Sequence, residues 1–423
     1  MGGYNRIEQT VGSVLDRFPR TKKTVESVYQ RANYHLRVDS SFAYDLHEDA
    51  TLYSLSEWFD VGALTGAHFV GFYDLCPWNG QSRFLVHELP DSTNPTAEAS
   101  VVVLEDGERH TVARTNAWNY QQGSRLQWYP PRKNTLVFND IEGDDTVSRF
   151  VTTDDEPVRT VTHPVQAVNP VADEFLSIDY RRLSYNAPGY GYRPPAAVSD
   201  ETLREPADGG LLRVESDGTT TVSVSLAELM AFTENSAHID HHIHHVVYAP
   251  DGNRFVFLHR WDDGGTERTQ LFVARHGEPP KLLIQHPALS HFSWLDNRRL
   301  FLWGGTDAGG TGYYTVDVET GKTDRVEPLA GYGDGHPSVG PDGEWIVMDT
   351  YPDRSRKRHL TLYHRPSERV VSLGQFLEPF GFDGKTRCDL HPRWNHDGTL
   401  ISIDSACEGR RQSYIIDVGE IVA

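Results

Sequence analysis

His245-Val-Val-Tyr-Ala-Pro-Asp-Gly-Asn-Arg-Phe-Val-Phe-Leu-His259 reads as a strand, a tight turn and a second, apolar-rich strand. The Asp-Gly pair supplies the left-handed conformations that a hairpin turn needs. The same phrase returns in His336-Pro-Ser-Val-Gly-Pro-Asp-Gly-Glu-Trp-Ile-Val-Met-Asp349 and in His391-Pro-Arg-Trp-Asn-His-Asp-Gly-Thr-Leu-Ile-Ser-Ile-Asp404. Looser copies run from Asp74 to His87, Leu126 to Asn139, His163 to Asp179 and His291 to Trp303. With Asn79, Arg132, Asp173, Asp251, Asp296, Asp342 and Asp397 as turn markers, most intervals approach the roughly 40–50 residues of a four-stranded blade. The expected fold is therefore all-β, a seven-bladed β-propeller over residues 41–423.

Three further features belong to that expectation. The interval from Asp173 to Asp251 is too long for one blade and holds Pro188-Gly-Tyr-Gly-Tyr192-Arg-Pro-Pro195, read as an inserted loop, followed by a polar segment over 200–220. Outer strand pairs recur at Tyr313–Thr323 and Leu360–Val370. The last strand, Ser413–Asp417, is expected to close the ring with a segment near residues 41–55. Residues 1–40 differ: Ile7, Val11, Val14, Leu15 and Phe18 recur at helical spacing, with Val25, Val28 and Tyr29 extending the pattern, which predicts a short N-terminal helical extension.

Composition narrows the setting. Aromatic content of 11% with 36 Gly and 24 Pro suits short strands and turns. No run approaches the roughly 18 apolar residues of a membrane span. Three cysteines make no disulfide framework, and Met1–Arg6 lack a basic-then-apolar signal, so a cytoplasmic location is expected. A net charge of -20 argues against sequence-independent nucleic-acid binding, because phosphates would be repelled. Only seven residues are lysine, against many arginines, a balance that resembles halophilic proteins, whose self-repulsion salt screens.

The histidines fall at equivalent blade positions. His245, His336 and His391 each lie six residues before the turn aspartate, and His291 five before Asp296. Residues that start innermost strands stand beside the propeller axis, so these side chains should converge at one end of the channel. Imidazole, thiolate and carboxylate are the usual ligands of zinc and related divalent ions. Cys388 and His391, separated by two residues, with His336 from the neighbouring blade make a candidate metal site, with Asp334 or His291 as a fourth ligand. The alternative is a set of structural histidines bonding neighbouring backbone.

A second cluster, His238-Ile-Asp-His241-His242-Ile-His244-His245, is followed by His259-Arg260. His244 or His245 could accept a proton near neutral pH, and Arg260 offers a planar fork to a carboxylate. His242, Gln122 and Arg182 are candidate substrate-binding residues. Gln122 lies in Trp118–Trp128 and Arg182 in Tyr180-Arg-Arg182; with Tyr190-Gly-Tyr192 these stretches carry the aromatics and amides common in carbohydrate sites and equally common as propeller core. No phosphate-binding Gly loop precedes a helix, and no G-x-S-x-G elbow occurs.

Asp334-Gly-His336-Pro-Ser-Val-Gly-Pro-Asp-Gly343, Asp349-Thr-Tyr-Pro-Asp353 and Arg387-Cys-Asp-Leu-His391-Pro-Arg-Trp394 resemble the metal-bearing blades of oligogalacturonate lyases and related propeller ulvan lyases. The likeness covers residues 235–417 well and the earlier blades loosely. In oligogalacturonate lyases a glutamine joins the histidines around the ion; here Cys388 aligns with it, and Arg393 replaces a later histidine, a departure toward the zinc site of ulvan lyases. The resemblance implies a divalent ion, zinc or manganese, and an acidic oligosaccharide substrate. It implies β-elimination at a uronic acid: Arg260 or the ion neutralises the carboxylate, His244 or His245 takes the C5 proton, and Tyr192 or another histidine protonates the departing O4. Two alternatives stand beside it: a non-catalytic glycan-binding or scaffold propeller with a structural metal, and another glycan-processing enzyme of surface-polysaccharide metabolism.

Overall fold

The computed structural model describes residues 29–32, 34, 41–64, 66–80, 82–90, 97–192, 210–233, 241–306 and 309–423. Seven antiparallel sheets follow one another around an axis, and the chain is a seven-bladed β-propeller. The innermost strands of blades 1 to 7 are Ala67–Phe69, Gln127–Trp128, Ala167–Val168, His242–Tyr248, Phe292–Trp294, Pro337–Val339 and Arg393–Trp394.

Each blade buries its faces against its neighbours, so the core is a ring of inter-blade interfaces. Between blades 3 and 4, for instance, Leu176 and Leu211 pack with Phe255, Phe257 and Phe272. Between blades 6 and 7, Val347, Leu360 and Leu362 pack with Ile401, Ile403 and Ile416.

The ring closes as expected. Thr51–Ser54 supplies the outermost strand of blade 7, pairing antiparallel with Gln412–Asp417 from Thr51↔Asp417 to Ser54↔Tyr414. Just before it, Tyr44–Leu46 adds a fifth strand to blade 6. Ser54 then caps the helix Leu55–Trp58 through a reciprocal box with Glu57, which turns the chain toward blade 1. The predicted N-terminal helix lies outside the described residues, except for helical residues 29–32 and 34. There Tyr34 meets the Phe380 ring edge-on at 5.2 Å, and Arg31 lies 5.0 Å from the same ring centroid.

Two departures position the site. The innermost strand of blade 1 is split: Ala67–Phe69 and Trp78–Asn79 both pair with Arg83–Leu89, and residues 70–77 leave the sheet between them. The long interval before Asp251 belongs to blade 3, where an insertion separates Glu174–Ile178 from Gly210–Glu215 and opens with the helix Tyr180–Asn186. That helix is capped by Asp179, whose carboxylate accepts from the Arg181 and Arg182 amides. Within the polar 200–220 segment, Gly210–Glu215 forms the third strand of that blade.

Candidate functional site

Because equivalent blade positions converge on the axis, His245, His291, His336 and His391 form an arc of buried rings, with centroids 5.3, 4.1 and 4.4 Å apart in that order. His245 and His391 adopt left-handed φ of 52° and 44°, a costly conformation that persists only where the surroundings enforce it. His245 lies where the pairing of its strand shifts register between His244 and Val247, and the segment split out of blade 1 floors the arc. Phe72 stacks on His245 at 4.6 Å and meets His391 edge-on at 5.1 Å. Tyr73 lies 5.3 Å from His336, and its hydroxyl donates to the Phe292 carbonyl while accepting from the Phe292 amide. Asp404 fixes this plug by accepting from the Val70 and Gly71 amides at 3.0 and 3.2 Å. The histidines thus line a cup rather than an open channel.

Within the cup, His336, Asp389 and His391 each present a ligand atom within 4.8 Å of the others. His336 Nδ1 donates to Asp349 Oδ1 at 2.8 Å, and His391 Nδ1 to the Gly71 carbonyl at 2.7 Å. Those bonds leave both Nε2 atoms as lone-pair donors, and both are buried without a hydrogen-bond partner. Imidazoles held this way by their far nitrogen are the usual ligands of a divalent metal. Asp389 stands 2.8 Å from Arg358 Nη1 and accepts from Arg387 Nε at 2.7 Å. Burial alone would raise the Asp389 pKa, but Arg358 and Arg387 outweigh it and hold the carboxyl well below its ordinary range. The donor set therefore fits an ion, although two guanidiniums already share the carboxylate.

The rest of the cup is polar and aromatic. Burial, with Arg260 next, holds His244 well below its ordinary pKa; burial, with His244 and His291 next, does the same for His245. Neither ring nitrogen of His245 has a partner, and Gln122 Nε2 lies 3.4 Å from His244 Nε2. His291 Nδ1 pairs with Asp334 at 3.0 Å. Tyr190, from the blade 3 insertion, meets His244 edge-on at 4.5 Å, and its hydroxyl accepts from Arg387 Nη2 at 2.8 Å. Arg260 pairs across the sheet with His242, and its Nη2 lies 3.5 Å from the Leu289 carbonyl, just ahead of His291.

The structure brings together His244, His245, His336, His391 and Gln122, with His242 and Arg260 on adjoining strands. Four other candidates take different positions. Cys388 lies outside the ligand group: it is buried, its amide donates to Glu378, and burial pushes its thiol up to about 12, whereas its neighbour Asp389 lies inside. Asp334 serves His291 rather than the ligand group. Tyr192 points into the core, stacked on Tyr180 at 4.5 Å and accepting from Asn139 Nδ2, whereas Tyr190 reaches the cup. Arg182 is a brace, donating to the His241 carbonyl at 3.2 Å. The sequence reading passed over Asp349, whose Oδ1 takes the His336 amide and Nδ1 and whose Oδ2 takes the His391 amide at 3.1 Å. Its signal was its place inside the Asp349-Thr-Tyr-Pro-Asp353 motif.

An oligogalacturonate lyase in complex with manganese superposes with a TM-score of 0.61, at 13% identity over 88% of this chain and 96% of that one. The oligogalacturonate lyase of Vibrio parahaemolyticus gives 0.61 at 14% identity, over 89% and 96%. The fold is that of the oligogalacturonate lyases. At these identities the likeness speaks to fold alone, and a prolyl endopeptidase structure also matches, with a TM-score of 0.50 at 12% identity over 94% of this chain and 55% of that one. No protein-family model matches the chain, and no curated protein does. Among the described residues, no helix is long and apolar enough to cross a membrane.

Proposed function

We propose that the cup is the active site of a lyase that cleaves short uronic-acid-containing oligosaccharides by β-elimination, with a divalent ion held by His336, His391 and Asp389. The observation that carries this reading is the pair of buried, unpartnered Nε2 atoms on His336 and His391 beside a carboxylate and histidines free to accept a proton. When bound, the ion would act as a Lewis acid toward a substrate carboxylate. Because Arg358 and Arg387 already share Asp389, the affinity rests chiefly on the two imidazoles, which favours zinc over manganese.

The chain's own groups cover the remaining chemistry. Arg260 pairs with the uronate carboxylate, which makes the C5–H bond acidic enough to break. Two neutral imidazoles can take that proton: His245, with both nitrogens free, and His291, oriented by Asp334 as a general base requires. The C5–H electrons form the C4=C5 double bond, the C4–O4 bond breaks, and the Tyr190 hydroxyl delivers a proton to O4. Phe72 and Tyr73 keep water from the floor of the cup. A cytoplasmic, salt-adapted setting belongs to the same proposal, supported by three free cysteines and the lysine-poor acidic composition.

The test is the ultraviolet absorbance of the unsaturated uronide product over a panel of uronic-acid oligosaccharides at low and high salt, with bound metal measured on the same samples. Absorbance that rises with wild type, and is lost in His245→Ala or in His291→Ala, supports the lyase and names the base. A flat trace from folded, metal-loaded protein points to the glycan-binding alternative.

A further inference from the structure

The plug formed by Phe72 and Tyr73 leaves a second chamber in the channel, at the opposite ends of the innermost strands. Blade 4 gives the direction: His245 belongs to the cup, whereas Val246 through Pro250 line a cavity of about 410 Å³. Trp294 and Trp394 form aromatic walls, and Pro170, Pro250 and Pro341 come from the hairpin turns of three blades. Both indole N–H groups are already spent, on the Val247 carbonyl at 3.3 Å and the Ser338 carbonyl at 3.1 Å, so the walls offer the chamber apolar ring surface.

Charged groups gather at the plug end, where Tyr73, Asp74, Arg125 and Arg393 line the cavity. Arg125 is fully engaged, with Nη1 and Nη2 on Asp74 at 2.9 and 2.8 Å and Nε on the Gln166 carbonyl. Arg393 is not. Its Nε donates to the Phe72 carbonyl and its Nη2 to the Gly71 carbonyl and Asp404, but Nη1 is buried without any partner. A buried donor left unpaired is costly, and a bound acceptor would remove that cost.

We propose that this chamber is a small-molecule site, separate from the cup, for a flat apolar compound whose carboxylate or carboxamide oxygen accepts from Arg393 Nη1. Each guanidinium already faces one carboxylate, Arg125 facing Asp74 and Arg393 facing Asp404. The chamber therefore calls for an acceptor oxygen rather than for a neutralising charge, which admits an amide as well as an acid. Its volume suits a small molecule and not a polysaccharide chain. The proposal stands independently of the lyase reading, because the Phe72 and Tyr73 rings separate the two chambers.

The test is titration of the full chain with benzoate and with benzamide, followed by calorimetry and ligand-observed NMR. Ser338→Phe and Val168→Phe fill the chamber from different blades without touching the bonds of Arg393. The expected result is saturable one-site binding of at least one probe, weakened about tenfold or more in a filled variant that keeps its melting temperature. An intermolecular NOE from the bound probe to the Trp294 indole gives the location on wild type without any substitution. Saturation by neither probe, equal affinity in a folded filled variant, or a saturated sample with no contact to Trp294 would each overturn the site.

Discussion

His336 Nδ1 and Asp349 Oδ1 lie 2.8 Å apart in a region from which water is excluded, and the same oxygen also takes the His336 amide. The hydrogen bond at Nδ1 fixes the imidazole tautomer, so the lone pair sits on Nε2. Asp349→Asn keeps the shape but cannot accept in the same way. Zinc affinity, measured by chelator competition, should fall about 10–100-fold while the fold persists.

Asp389 compensates Arg358 and Arg387. Asp389→Ala removes a proposed ligand and leaves buried positive charge behind, which should cost about 3 kcal/mol of stability. Denaturant titration of the metal-free protein checks this; an unchanged midpoint would mean that Glu378, 2.9 Å from Arg358, carries the compensation alone.

Gly71 has a φ of 123°, and a Cβ there would come within 2.9 Å of the Gln122 carbonyl oxygen. Its own carbonyl accepts from both His391 Nδ1 and Arg393 Nη2. Gly71→Ala should therefore displace the plug, lower stability by about 1–3 kcal/mol and reduce metal affinity together. Thermal unfolding with and without zinc separates the two effects.

Tyr190 and Tyr192 should behave oppositely. Tyr190→Phe removes the hydroxyl at the cup and should lower kcat about 100-fold with little change in stability. Tyr192→Phe removes the bond to Asn139 in the core and should cost about 1 kcal/mol of stability with kcat retained. Steady-state kinetics alongside denaturant melts compare the pair.

Burial pushes His87 down to about 4 and His259 down to about 3, both below the ordinary 6.5. Between those values and 6.5 the unfolded chain binds protons that the native chain refuses. Stability should then fall as pH drops through this window, by about 1.4 kcal/mol per unit for each histidine, and level off above it. Urea melts from pH 4 to 8 at constant ionic strength measure the slope.

The blades were legible because each carries its own local signal, a turn flanked by apolar runs, and the fixed offset from histidine to turn aspartate carried the cup with it. What escaped lay where that periodicity stops. Residues 387–392 are irregular, so alternation cannot tell whether Cys388 or Asp389 faces the axis, and His391 itself takes a left-handed turn. Tyr190 and Tyr192 lie in an insertion with no repeat to orient them. The plug was hidden because Phe69-Val-Gly-Phe-Tyr73 reads like any buried strand, and only its neighbours' hydrogen bonds pull it from the sheet.

The pairing of Thr51–Ser54 with Gln412–Asp417 also sets an order of events for a chain made from its N-terminus. Blades 2 to 5 can form as their residues emerge, but the partner of Thr51 lies in blade 7, after every other blade and at a large sequence separation. Until blade 7 is in place, Asp404 cannot anchor residues 70 and 71, and the plug lacks that hold. The cup is therefore assembled last, in the step with the largest loop-closure penalty, and the open ring that precedes it exposes sheet edges at both ends to its neighbours.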